Sequence, residues 1–338
     1  MIVKKALLKN EIEEVKTFLK SQNLNWENDI IETYYITDDK DQIIATGSRS
    51  KDIIKGLRVL ESWQGYNLMT LIVNELIKSF NDDQVHHFFV YTKLDNHKIF
   101  ESLGFSEITR SEKVVLFEYG LDLINQQLIK LKGQIENYFG ILLNNHSVGS
   151  LILNCNPVTK GHLELIELAS NESDYVIIFL VETDKSFFTF KERMALLYLA
   201  TNHLRNVIVI PSTKYIISEI TFPSYFLKSM NEAEYQQAQL DINIFKQYFI
   251  PIFNINKRYI GSESDKHMIL YNDLMKKELE DYVVIIERFL QDNEIISASR
   301  VRKLVKENKI DEAALLVPQS IQELFKSIVR SKKHEWLS

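Results

Sequence analysis

Residues 150–169 read SLILNCNPVTKGHLELIELA. An apolar run from Ser150 to Leu153 stops at Asn154–Pro157. Thr159, Gly161 and His162 follow, and apolar residues then return at helical spacing. A short apolar run closed by Asn and Pro and followed by a 3.6-residue period reads as strand, turn, helix. At such a turn the first N–H groups of the helix have no intrahelical acceptor and lie at its positive end, a setting that favours an anion. Gly161 lets a phosphate approach the backbone, Thr159 offers a hydroxyl, His162 offers a ring N–H, and Asn154, Asn156 and Pro157 shape the turn. Taken alone, these residues equally describe a helix start with an incidental histidine.

Toward the C-terminus the same rhythm repeats. YVIIFLV (175–181), NVIVIP (206–211), RYIGSE (258–263) and DYVVIIER (281–288) are strand-like, and helical patterns such as FKERMALLYLATNHL (190–204) and MILYNDLMKKEL (268–279) separate them. Strands apolar on both faces and alternating with helices predict a doubly wound, Rossmann-like α/β domain with a parallel sheet, whose ligand lies at the carboxyl ends of the strands. Toward the N-terminus the pattern is α+β. Asn10 with Glu13 predicts a helix start. Thr33–Ile36 and Gln42–Ala45 flank a TDDKD turn, and Ile53–Leu60 reads as a third strand. After Gly65 comes an amphipathic helix with Met69, Ile72, Val73, Leu76 and Phe80 on one face. HHFFVYT and KVVLFEYG read as strands around a short helix from Asn96 to Gly104. The expected organisation is an α+β domain over 1–120, a polar helix-prone connector over 121–146 and the α/β domain over 147–338.

At 338 residues the chain suits two domains, and its net charge of -6 opposes a sequence-independent grip on nucleic acid. Cys155 is the single cysteine, so no internal disulfide forms. With no signal-peptide pattern in MIVKKALLKNEIEEVK and no apolar stretch of about 20 residues, the expectation is a cytoplasmic protein without a membrane partner. Cys155 reads as a small turn residue and not as an acyl-carrying nucleophile, because no histidine stands at a recognisable partner position.

TKGH is the T-x-G-H form of the H-x-G-H nucleotidyltransferase signature. ETDKSFFTFKER (182–193) resembles the basic loop of phosphopantetheine adenylyltransferases, which implies Lys185 near an α-phosphate. ISASRVRKLV (296–305) resembles the I-S-S-T-x-x-R motif of that superfamily, implying Ser297 and Ser299 as hydroxyl donors or caps and Arg302 as a phosphate ligand. Gly261, Ser262 and Glu263 end a strand where such enzymes shape the adenine pocket. Each motif alone is weak; three in order on one α/β pattern are specific.

The whole chain resembles the citrate lyase ligase family through NCNPVTKGH, KYIISEITFPSYF, DINIF, RYIGSE, YNDLM and ISASRVRKLV, in that order. The N-terminal half resembles the GNAT acetyltransferase fold, with SWQGYNLM at its pyrophosphate loop and DNHKIFESLGF after it. Ser62 and Asn67 depart from that loop's pattern while Gly65 keeps it. Asn67 puts a side chain where open backbone should meet pyrophosphate, which argues for a docking or thiol-arm role over independent acetyl transfer. The resemblance implies that ATP, acetate and the free-thiol form of citrate lyase give AMP, pyrophosphate and the acetylated lyase through acetyl adenylate, with Mg²⁺ bridging pyrophosphate oxygens. The acceptor thiol belongs to a phosphoribosyl-dephospho-CoA group on the lyase's acyl carrier (gamma) subunit. The alternative is a phosphopantetheine- or nucleotide-type adenylyltransferase of coenzyme biosynthesis. That enzyme needs a second phosphate-binding cluster, and the aromatic ITFPSYF shows little sign of one.

Overall fold

The computed structural model describes residues 1–182, 187–216, 230–262, 266–287, 290–291 and 294–336. In chain order the elements are β1 (Lys4–Lys5), α1 (Lys9–Ser21), β2 (Glu32–Thr37), β3 (Ile43–Arg49), β4 (Ile53–Val59), α2 (Leu68–Asp82), β5 (His87–Lys93), α3 (His97–Ser102), β6 (Ser106–Arg110), β7 (Val114–Gly120) and α4 (Ile124–Phe139). There follow β8 (Val148–Leu153), α5 (Lys160–Glu172), β9 (Tyr175–Leu180), α6 (Phe190–Thr201), β10 (Val207–Pro211) and α7 (Met230–Ile244). A π-helical turn (Phe245–Phe249) then leads into α8 (Ile250–Phe253), β11 (Ile255–Gly261), α9 (Lys266–Leu279), β12 (Val283–Ile286), β13 (Leu290–Gln291), β14 (Glu294–Ile295), α10 (Ala298–Lys306), α11 (Ile310–Ala314) and α12 (Gln322–Trp336).

The chain divides into two units: Met1–Gln127 with Glu219–Asn243, and Leu128–Ser218 with Ile244–Ser338. Within the first, seven strands form one sheet in the order β1-β2-β3-β4-β5-β7-β6. Neighbours are antiparallel except β4 and β5, which run parallel and share just two registered pairs, Ile53 with Phe89 and Ile54 with Val90. Beyond Ile54 the two strands share no registered pair. Leu68, Ile72, Val73, Leu76 and Phe80 of α2 are buried against the sheet. The approach is close because position 47 is glycine: a Cβ there would stand 2.5 Å from Ile72 Cγ2. The apolar period predicted over this helix is the face it buries.

The start of α1 departs from expectation. Asn10 lies inside the helix, and Glu11 serves its N-terminus, its carboxylate accepting from the Leu7 and Leu8 N–H groups at 2.8 Å each. Residues 230–243, expected within the α/β domain, cluster with the first unit. There Gln236 bonds Ser111 and accepts from Lys113 N, Glu232 pairs with Lys113, and Asn243 donates to the Arg110 carbonyl.

The second unit is the doubly wound α/β domain that the alternating pattern predicts. Its main sheet has five parallel strands in the order β10-β9-β8-β11-β12, and β13 and β14 pair antiparallel as a separate ribbon. Ile178 of β9 joins one core with Leu151, Ile166 and Leu196, while Phe179 points the other way against Phe249 and Phe253 at 5.3 and 5.5 Å. That two-sided burial is why these strands read as continuous apolar runs. The strand order reverses between β8 and β11, so the crevice above their carboxyl ends is where this architecture receives a ligand. No helix among the described residues is long and apolar enough to cross a membrane.

Candidate functional site

Asn154–Lys160 joins β8 to α5 at that crevice. Thr159 is the N-cap of α5 and is 1% exposed. His162 N donates to its hydroxyl at 3.4 Å, Thr159 N donates to His162 Nδ1 at 3.1 Å, and the hydroxyl lies 2.8 Å from the same nitrogen. A backbone N–H only donates, so Nδ1 is the acceptor and the neutral ring carries its proton on Nε2. Thr159, expected to offer a hydroxyl to a phosphate, instead holds the imidazole. At Gly161 a Cβ would lie 3.7 Å from the Ile296 carbonyl, an ordinary contact. Packing therefore does not demand glycine here, and its absent side chain leaves the first helical turn uncovered.

Arg302 reaches this turn from α10. Its Nη1 donates to the Asn156 carbonyl at 2.6 Å and its Nη2 to Ser299 Oγ at 2.9 Å. Burial pushes its guanidinium below the usual value. Ser297 is the N-cap of α10, accepting from Arg300 N at 3.2 Å. The first and third motifs, about 140 residues apart in the chain, thus meet at one turn.

A residue outside the expected site fixes the shape of that turn. Arg193 of α6 is fully buried. Its Nη1 donates to the Asn154 carbonyl, the Asn154 side chain and the Val181 carbonyl at 2.8, 3.0 and 2.8 Å, and its Nε donates to the Phe188 carbonyl at 3.2 Å. Phe188 N in turn donates to Asn156 Oδ1 at 3.0 Å. The loops that leave β8 and β9 are therefore tied together through Asn154, Asn156 and one guanidinium. Asn156–Pro157 is a cis peptide, and Pro157 is buried. Cys155 is 1% exposed, and burial, opposed by the Arg193 charge, pushes its thiol up to about 12. Such a thiol is neutral and shielded, unlike an acyl-carrying nucleophile.

At the end of β11 a Cβ on Gly261 would meet nothing within 4 Å. Its carbonyl accepts from Asn272 Nδ2 at 3.2 Å, and Ser262 N donates to the Ile286 carbonyl at 2.7 Å. Lys185 and Glu263 lie outside the described residues, as does the aromatic stretch after Ile216. Among the described residues no group of three or more His, Cys, Asp or Glu side chains could hold a metal ion.

The first unit contains a cleft of about 1450 Å³ where β4 and β5 separate, lined in part by Lys20, Arg58, Gly65, Asn67 and Lys93. Asn67 is the N-cap of α2, in the left-handed region at φ 57, and its side chain makes no cap hydrogen bond.

The citrate lyase ligase C-terminal domain matches residues 148–325. A citrate (pro-3S)-lyase ligase from Escherichia coli is 30% identical over 314 residues, covering 90% of this chain and 87% of its own. A phosphopantetheine adenylyltransferase from Streptococcus sanguinis is 29% identical over 168 residues, 49% of this chain and 85% of its own. A GNAT-family acetyltransferase structure from Staphylococcus aureus aligns over 36% of this chain and 99% of its own, at 11% identity and a TM-score of 0.30. With a family domain spanning more than half of its residues and that ligase relative matching along nearly its whole length, the chain belongs to the citrate lyase ligase family.

Proposed function

We propose that the chain is an acid–thiol ligase that activates acetate with ATP and passes the acetyl group to the prosthetic thiol on the acyl carrier subunit of citrate lyase. The observation that carries this reading is the meeting of Arg302 with the Asn154–His162 turn, which supplies a guanidinium, an imidazole N–H and a helix N-terminus at one strand end. The acetate carboxylate is ionised at neutral pH and needs no general base. One of its oxygens attacks the α-phosphorus of ATP, the bond to the bridging β-phosphate oxygen breaks, and pyrophosphate leaves. The carrier thiolate then attacks the carbonyl carbon of acetyl adenylate, AMP departs with the bonding pair, and a thioester remains.

In both steps catalysis is positioning and charge neutralisation. His162 and Arg302 hold phosphate oxygens, Ser299 supports Arg302, and the motif resemblance gives Lys185 the same phosphate-binding role. Thr159 and Arg193 hold the holders, and Gly261 to Glu263 receive the adenine. Mg²⁺ brought in with the substrate as its ATP complex would neutralise phosphate charge, and among the described residues no cluster of three or more His, Cys, Asp or Glu side chains would hold it.

For the first unit we propose binding of the carrier's thiol arm in the cleft between β4 and β5. Beyond Ile54 the two strands share no registered pair, and the cleft they leave is open to an extended, amide-bearing chain.

The test is exchange of labelled pyrophosphate into ATP. It is expected to require acetate, to proceed without citrate lyase and to be indifferent to free phosphopantetheine, with AMP release slow until the deacetylated carrier is added. Exchange indifferent to acetate but started by phosphopantetheine assigns the chain to coenzyme synthesis instead.

A further inference from the structure

β11 carries a charge that the phosphate site does not use. Arg258 stands three residues before Gly261 and is registered with Ser150 of β8, so it belongs to one of the two strands flanking the reversal of sheet order. It is 2% exposed. Its guanidinium lies 4.4 Å from the ring centre of Phe245, itself buried beside Phe249, and Nη2 donates to the Tyr271 hydroxyl at 3.1 Å. Nε and Nη1 are buried with no hydrogen-bond partner, and no carboxylate pairs with the group among the described residues.

The chain treats its other buried cations differently. Arg49 is paired with Asp83 and Glu32, Lys55 with Glu27 and Asp29, and Arg193 is surrounded by oxygens. A buried cation with idle donors is destabilising, and replacing it by an apolar side chain of similar volume is often neutral or stabilising. Arg258 therefore detracts from the stability of the unliganded chain.

We propose that Arg258, Tyr271 and Phe245 form the seat of the small carboxylate substrate. The carboxylate accepts from the idle guanidinium donors, and its short apolar tail lies against the phenyl rings. A phosphate seat gathers several backbone N–H groups, as the β8–α5 turn does. Here one guanidinium and one hydroxyl stand among phenylalanines, a match for a singly charged planar anion with an apolar end. This inference rests on the acetate-activating reading.

The test uses full-length Arg258→Met, Arg258→Lys and Tyr271→Phe in pyrophosphate exchange, titrated separately with acetate and ATP, together with thermal unfolding with and without acetate. Arg258→Met is expected to raise the acetate KM roughly 10- to 100-fold and to leave the ATP KM unchanged. It should melt no lower than wild type without ligand, and the stabilisation that acetate confers on the wild type should disappear. Arg258→Lys recovers part of the acetate affinity, and Tyr271→Phe raises the acetate KM with the fold intact. An unchanged acetate KM overturns the proposal. So does a lowered melting point with equal losses for ATP and acetate, or a resident water or inorganic anion that acetate does not displace. Wild-type exchange that ignores acetate defeats the acetate-activating reading itself; acetate-dependent exchange that is equal in wild type and variants defeats this seat alone.

Discussion

At position 162 the backbone decides which ring nitrogen bears the proton, because the Thr159 N–H can only donate to Nδ1. His162→Ala should leave the melting temperature near wild type and lower exchange 10²- to 10³-fold, about 3–4 kcal/mol of barrier. Thr159→Ala should cost about 1 kcal/mol of stability as a lost cap, and its exchange should also fall because the ring loses its anchor. Thr159→Ser should restore both. Wild-type exchange by Thr159→Ala would disconnect the cap from the chemistry. Cys155 predicts a different titration. Its thiol is raised from 9.0 to about 12 by burial, so the folded state keeps the proton that the unfolded chain gives up. Stability from this group is complete below pH 9 and declines as pH rises toward 12. Native protein should resist alkylation at neutral pH and react once unfolded, and Cys155→Ser should keep its exchange activity; an inactive Cys155→Ser enzyme would return the thiol to the mechanism.

Among the elements, legibility followed the cleanness of the period. β8 to β12 are short apolar runs between helices, and α2 shows its buried face at regular intervals, so both could be read before any coordinates. β1 is two lysines and β6 is SEITR, too short or too polar to show alternation. The start of α1 was obscured because Asn10 with Glu13 imitates a capping box, whereas the actual N-cap is the apolar Leu8 and Glu11 reaches two N–H groups at once. The β8–α5 turn and the arginine that meets it were legible as motifs. The role of Arg193 was not, since a basic residue early in a helix ordinarily reads as solvated surface. Glu32 at the start of β2 gives the first sheet an acid limit. Burial opposes its charge, but hydrogen bonds from Lys5, Ser79 and Tyr34 and the Arg49 charge outweigh that and hold it at about 2. The stabilisation is therefore present above the ordinary 4.5 and is lost as pH falls toward about 2. Urea unfolding of Glu32→Gln should show a shallower loss of stability over that interval than wild type, and identical slopes would deny the pairing its role.

For the whole molecule, the proposed division assigns adenylation to one unit and the carrier's arm to the other. Lys20 and Lys93 line the cleft and are solvent-exposed, so reversing both charges should leave folding and acetate-dependent exchange intact. The carrier KM should rise roughly 3- to 10-fold, most strongly at low salt. Equal carrier kinetics in the double variant would remove the cleft from the transfer step. The cleft was invisible in sequence because it arises from two strands sharing two pairs and then parting, a tertiary event with no local signature. The split membership of the chain has a consequence for its biosynthesis. The β6–β7 turn at Arg110–Lys113 receives its partners from Glu232, Gln236 and Asn243, residues translated only after β8, β9 and β10. A nascent chain that has emerged through β7 still lacks the helix that covers this turn. The ribosome must deliver three strands of the second unit before the first can close, and vectorial synthesis cannot finish the two units one after the other.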